Sequence, residues 1–127
     1  RLRQNTKIGR RNKIGNFVEI KNSIIGDETK INHLSYIGDA KIGKKSNIGA
    51  GTITCNYDGI KKNKTYIGNN VFVGSNCSLI APIRIKDNSF IAAGSSISKD
   101  LAKYDFSISR AKQQIIRNGS KKFLKGK

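Results

Sequence analysis

One side chain in this 127-residue sequence belongs to the type that exchanges protons near neutral pH: His33, the only histidine. Such a group can serve as general base toward an amine, although a lone histidine is by residue type alone more often structural than catalytic. Glu19 lies fourteen residues earlier, close to one full turn of the repeat described below, and could orient that imidazole. The two thiols, Cys55 and Cys77, form no CxxC pair. They suit a reducing compartment better than a disulfide framework, and beside a single histidine they argue against a zinc site within one chain. Lys and Arg number 25 against 8 Asp and Glu, a formal net charge of +17. That balance favours anionic partners: phosphates, nucleotides, nucleic acid or a lipid surface. Ile, Lys and Asn together fill 51 of the 127 positions. All three have A/T-rich codons, so genomic drift competes with function as the origin of the charge.

The length fits one domain. No apolar run approaches the roughly 18 residues of a membrane span, and no apolar segment follows the N-terminus as in a signal peptide. A cytoplasmic location is expected. The architecture comes from periodicity. Leu2, Ile8, Ile14, Ile20, Ile25, Ile31, Ile37, Ile42, Ile48, Thr54, Ile67, Val73, Leu79, Ile85, Ile91 and Ile97 form a series in which all but Thr54 are aliphatic, although Ile, Leu and Val make up only 28 residues of the chain. Twelve of the fifteen steps are six residues. Six matches no helical period. It matches a three-sided solenoid in which every sixth residue takes the equivalent inward place on the next face. Gly follows the aliphatic residue eight times (Gly9, Gly15, Gly26, Gly38, Gly43, Gly49, Gly68 and Gly74), as expected for a corner with close backbone approach or positive φ. Small or β-branched residues such as Thr29, Ser35, Ser46 and Thr52 recur four positions after it and suit strands stacked in ladders.

The expected fold is therefore all-β, a parallel β-helix of hexapeptide repeats with about five coils over residues 1–97, followed by an extension and basic tail over 98–127. The single thirteen-residue step places an inserted, polar, Gly-containing loop within 55–66, where function is expected. Past Ile97 the pattern stops. Residues 98–110 should be irregular, with a short extended piece at Phe106-Ser107-Ile108. Residues 110–118 read as a short helix stopped by Gly119, and Ser120 to Lys127 as a frayed basic end.

The segments Asn16-Phe17-Val18-Glu19, Asn32-His33-Leu34-Ser35-Tyr36-Ile37-Gly38-Asp39-Ala40 and Asn47-Ile48-Gly49-Ala50-Gly51-Thr52-Ile53-Thr54-Cys55-Asn56-Tyr57-Asp58-Gly59 closely resemble one family. It is that of the C-terminal domain of bacterial bifunctional N-acetylglucosamine-1-phosphate uridyltransferase/glucosamine-1-phosphate acetyltransferases. The likeness runs from Arg1 to about Arg110. It implies a left-handed β-helix, a homotrimer with active sites between subunits, and acetyl transfer from acetyl-CoA, as co-substrate, to the amine of glucosamine-1-phosphate. The product, N-acetylglucosamine-1-phosphate, feeds UDP-N-acetylglucosamine and cell-wall precursors. Magnesium is implied only for the family's uridyltransferase domain, which no residues here match. The chain begins with Arg1, so a C-terminal fragment of a longer protein is expected.

The resemblance implies His33 as catalytic base. It implies Arg3, Lys21, Tyr36 and Asn47 as ligands of the sugar phosphate. For acetyl-CoA it implies Ala50, Asn56, Tyr57, Ser75, Ala93 and Arg110. In that scheme the two alanines act through the backbone, with the Ala50 amide near the thioester oxyanion, and Arg110 holds a remote phosphate. Two departures stand out. The family's Arg-Pro-Gly is Arg3-Gln4-Asn5 here, and its terminal Gly-Trp is replaced by Lys125-Gly126-Lys127. Competing readings are another hexapeptide-repeat acyltransferase with a different acceptor, and a basic nucleic-acid binder. The scattered charge and the lack of aromatic RNA-binding motifs argue against the latter. A zinc carbonic anhydrase on the same fold would need several histidines. No nucleic-acid and no membrane partner is expected.

Overall fold

The computed structural model describes residues 1–124 and 126, so Lys125 and Lys127 of the expected basic end lie outside the described residues. The chain winds as a three-sided parallel solenoid of about six turns. Its first face stacks the strands Lys7–Ile8, Ile24–Ile25, Ala40–Ile42, Thr65–Ile67 and Ile83–Ile85. The second stacks Lys13–Asn16, Lys30–His33, Asn47–Ile48, Phe72–Val73, Phe90–Ile91 and Phe106–Ser107. The third stacks Glu19–Lys21, Tyr36–Gly38, Ile53–Cys55, Ser78–Ile80 and Ser96–Ile97.

The hexad sets this register directly. On the first face Ile8 pairs with Ile25, Ile25 with Ile42, Ile42 with Ile67 and Ile67 with Ile85. On the second, Ile14, Ile31, Ile48, Val73 and Ile91 stack in the same way. The inward side chains meet along the axis. Ile20, Ile31, Ile37, Ile48 and Ile91 are at most 2 % exposed, and Ile14 packs half-buried against them. Each fully buried aliphatic side chain contributes about 1.5–3 kcal/mol, so the column itself is the core. Thr54, the polar exception in the series, is also buried. Its hydroxyl accepts from the Gly38 N–H at 2.8 Å and donates to the Tyr36 carbonyl at 3.2 Å.

The corners divide their work between residue types. The glycines that follow the aliphatic positions serve close approach: a Cβ on Gly26 would stand 2.6 Å from the Gly43 carbonyl carbon. Left-handed φ falls more often on asparagine than on any other residue type, as at Asn5, Asn22, Asn70, Asn76 and Asn88, the side chain that best tolerates that region after glycine. The buried hydroxyls satisfy glycine carbonyls on the next coil, Thr29 to Gly43 at 2.7 Å, Ser46 to Gly68 at 2.8 Å and Thr52 to Gly74 at 3.0 Å.

Two features differ from the sequence expectation. Coil pairing continues beyond Ile97, because Leu101 is buried and bridges Ile85 while Phe106–Ser107 pairs with Phe90–Ile91. This adds a turn to the expected five. It escapes the hexad pattern because Leu101 comes only four residues after Ile97 and Ser107 takes the inward place. No helix forms over 110–118. Those residues are exposed, Asn118 is left-handed at φ 58°, and a single 3₁₀ turn, Gly119–Phe123, begins at the glycine expected to end the helix. A nine-residue segment with no buried face lacks the packing that short helices need. No helix among the described residues is long and apolar enough to cross a membrane.

Candidate active site

The edge where the second face turns into the third carries a vertical row: Asn16, His33, Ala50, Ser75 and Ala93. Consecutive members are tied by the backbone of the corner residue that follows each. Leu34 N–H donates to the Asn16 carbonyl at 3.1 Å, Gly51 to His33 at 3.2 Å, Asn76 to Ala50 at 2.8 Å and Gly94 to Ser75 at 2.7 Å. Arg110 closes the row, its Nη1 donating to the Ala93 carbonyl at 2.7 Å. At about 4.8 Å per coil, His33 and Arg110 stand roughly 19 Å apart along this edge. His33 is exposed, and its ring has no hydrogen-bond partner among the described residues. Leu34, beside it, is left-handed at φ 52° and 60 % exposed, a conformation that costs a branched residue about 1–2 kcal/mol. The row thus gathers His33 with four of the six residues expected to meet the coenzyme, on one accessible edge of the solenoid.

In register Asn16 sits against His33 and Glu19 against Tyr36. Glu19 lies on the third face and pairs with Arg3 at 3.1 Å, and no Glu19–His33 hydrogen bond is present among the described residues.

The opposite edge, where the third face turns into the first, is wired by side chains. Lys21 Nζ lies 3.6 Å from Asp39 Oδ2, with both side chains at most 8 % exposed. Asn22 Nδ2 donates to Asp39 Oδ1 at 2.7 Å, and Asn56 Nδ2 donates to Asp39 Oδ2 at 2.8 Å and to the Tyr36 hydroxyl at 3.2 Å. Burial alone would raise the Asp39 carboxyl. The amides of Asn22 and Asn56 and the ammonium groups of Lys21 and Lys62 outweigh it and hold Asp39 below the ordinary carboxylate range. The Lys21 amine, by contact and by charge, pushes Lys62 below the ordinary lysine range against the pull of Asp39 and Tyr36. Two amines facing one carboxylate leave a net positive locus suited to an anion. Gly38 makes room for it: a Cβ there would stand 2.6 Å from Tyr36 Cζ and 2.7 Å from Asn56 Nδ2.

The insertion is narrower than the expected 55–66, since Cys55 ends one strand and Thr65 begins the next. Between them Asn56 to Lys64 form a small hairpin, bridged at Tyr57 and Lys62 and turned at Gly59, where φ is 94°. Asp58 braces the tip by accepting from the Lys61 and Ile60 N–H groups at 2.7 and 2.8 Å. Those bonds and the Asn63 amide hold its carboxyl low. Tyr57 is 60 % exposed and Ile60, at the tip, 91 %.

The sequence-expected residues thus fall into three places. His33, Ala50, Ser75, Ala93 and Arg110 share one edge. Arg3, Lys21, Tyr36 and Asn56 share the third face and its far edge, with Tyr57 on the hairpin. Asn47 points outward from the second face, in the row Lys13, Lys30, Asn47, Phe72, Phe90 and Phe106. Asn56, expected beside the coenzyme, stands in this chain with Lys21 and Tyr36. Sequence reasoning missed Asp39 and Lys62. Asp39 carried a usable signal, an acid seventeen residues after Asn22 at the same corner, whereas Lys62 is one lysine among eighteen. Among the described residues no group of three or more His, Cys, Asp or Glu could hold a metal.

Residues 64–99 match the Bacterial transferase hexapeptide (six repeats) family. The chain is 60 % identical over 113 residues to the Bifunctional protein GlmU of Wolbachia pipientis wMel, covering 89 % of this chain and 26 % of that protein. It is 54 % identical over 114 residues to that of Acetivibrio thermocellus, covering 90 % and 25 %. It therefore spans about a quarter of the length of the relatives it matches. Among solved structures, PerB from Caulobacter crescentus in complex with CoA and GDP-perosamine superposes with a TM-score of 0.77 at 20 % identity, covering 85 % of this chain and 50 % of that one. The acetyltransferase domain of PglB from Neisseria gonorrhoeae, in complex with acetyl coenzyme A, gives 0.77 at 14 % identity with the same coverage. Residues 64–99 thus carry the hexapeptide-repeat signature, and about nine-tenths of the chain is similar in sequence to a quarter of the bifunctional proteins GlmU.

Proposed function

We propose that the chain transfers acetyl from acetyl-CoA to the amine of glucosamine-1-phosphate, giving N-acetylglucosamine-1-phosphate and free CoA for UDP-N-acetylglucosamine synthesis in the bacterial cytoplasm. The observation that carries this reading is the identity of 52–60 % over about nine-tenths of the chain. In the reaction the amine nitrogen attacks the thioester carbonyl and passes its proton to His33. The tetrahedral oxyanion is met by a backbone N–H, of Ala50 in this scheme. The C–S bond then breaks, and the imidazolium returns its proton to the departing thiolate.

Arg3, Lys21, Tyr36, Asn47 and the newly identified Lys62 take the sugar phosphate. Arg supplies a planar grip and Lys a point charge. Ala50, Ser75, Ala93 and Arg110 line the coenzyme along the His33 edge. Asn56 and Tyr57 reach the coenzyme of an adjoining copy, because within their own chain they stand on the other side of the third face. A homotrimer with shared sites is part of this reading, supported by that division and by the exposed Tyr57 and Ile60 of the hairpin. The solenoid of residues 1–97 with its hairpin carries the catalytic groups, and 98–127 adds the closing turn, Arg110 and the basic tail.

The test is thiol release from acetyl-CoA with glucosamine-1-phosphate, glucosamine and unrelated amino sugars as acceptors. A strong preference for glucosamine-1-phosphate is expected. No release, or equal rates with the unphosphorylated amine, would refute the reading.

A further inference from the structure

Asp39 is the most enclosed charged group for which the proposed chemistry has no use, with a residue exposure of 6 %. Its carboxylate faces Lys21 at 3.6 Å and accepts from Asn22 at 2.7 Å and Asn56 at 2.8 Å. Its backbone carbonyl accepts from the Thr65 N–H at 3.2 Å. Asn56 starts the hairpin, and Thr65 is where the chain rejoins the solenoid. One residue thus grips both feet of the insertion together with the Lys21 ammonium. Backbone shape does not demand an acid here: Asn22 occupies the same corner one coil earlier with φ 48°, against 51° for Asp39. What Asp adds over Asn is a charge and a second acceptor oxygen.

We infer that Asp39 is a positioning residue that fixes Lys21 and the Lys62-bearing hairpin relative to one another, so that a sugar phosphate meets a preset pair of ammonium groups. The assignment of that ligand rests on the function proposed above. Each phosphate-facing amine alone is mobile on a four-carbon stem, and presetting the pair removes that ordering cost from binding.

The full chain carrying Asp39→Asn, which the Asn22 corner shows to be compatible with the backbone, provides the test. Amide exchange across residues 57–63 should quicken about tenfold, and KM for glucosamine-1-phosphate should rise about tenfold. The kcat and the KM for acetyl-CoA should stay within about twofold, and Asp39→Glu should recover part of both effects. Unchanged hairpin exchange, or kcat and both KM values shifting together, would overturn the inference. If Asp39→Asn does not fold, Asp39→Glu is read alone, and a wild-type hairpin and KM in that variant would count against it. A wild-type chain that never acetylates glucosamine-1-phosphate defeats the proposed function, while the exchange measurement still decides whether Asp39 holds the hairpin.

Discussion

The two edges that border the third face turn through the same left-handed corner and put it to opposite uses. Leu34 at φ 52° and Asp39 at φ 51° have nearly the same backbone. At Leu34 the neighbouring side chain, His33, is exposed and has no hydrogen-bond partner among the described residues. At Asp39 nearly every polar atom is engaged inside the chain. Under the proposed function, the edge that receives a mobile acyl donor and a changing proton inventory is the open one. The edge that would present fixed charge is wired beforehand, because loose ammonium groups would lose the geometry that makes two of them better than one.

That contrast can be broken experimentally, beginning with the open edge. His33→Ala should lower turnover by about 10²–10⁴-fold and leave the melting temperature in place, since the residue is exposed and its ring has no hydrogen-bond partner among the described residues; an active variant, or one that unfolds, would show that the edge is structural after all. Gly38→Ala attacks the wired edge. Its Cβ collides with Tyr36 and Asn56, and overpacking of this kind costs about 1–3 kcal/mol, read as an earlier denaturation midpoint together with a raised KM for the sugar phosphate. Thr54→Val keeps the volume but strips the hydroxyl that serves Gly38 N–H. It should cost about 1–2 kcal/mol in chemical denaturation with a smaller change in KM, and a neutral result would mean that another acceptor takes over.

The mildest probe is pH. With Lys62 pushed below its ordinary 10.5 by Lys21, its proton is lost earlier on the alkaline side than from a free lysine. Affinity for the sugar phosphate should therefore fall a few-fold as pH rises toward that value, with the KM for acetyl-CoA flat. Lys62→Arg, which stays protonated, should remove the slope; a slope that survives in the arginine variant would place the titrating group elsewhere.

The sequence already disclosed the inward column almost completely, because one physical variable, burial at a fixed step, repeats from Ile8 to Ile97. The same logic left the role of glycine between two options, and the structure favours close approach for the glycines that follow the aliphatic positions, with left-handed corners shared among asparagines and other residues such as Leu34 and Asp39. It could not follow the chain past Ile97, where Leu101 breaks the step and Ser107 replaces an aliphatic residue. It also raised a helix over 110–118 from local propensity, with no partner surface to bury one. Within the candidate site, the residues of the row from His33 to Arg110 were singled out through resemblance, and their common edge follows from spacings of one coil. The Lys21–Asp39–Asn56 network was not recovered. Periodicity says which residues point outward, but which outward polar groups meet depends on side-chain reach around a corner and across a loop.

The hairpin has a last implication. Ile42 and Ile67 are paired as neatly as Ile25 and Ile42, although twenty-five residues separate the first pair and seventeen the second. The stack is indifferent to how much chain is looped out, provided the loop leaves and returns at one corner. Such a joint lets a recognition element be lengthened, shortened or exchanged without disturbing the scaffold, so new acceptors could be sought by grafting between Cys55 and Thr65 alone.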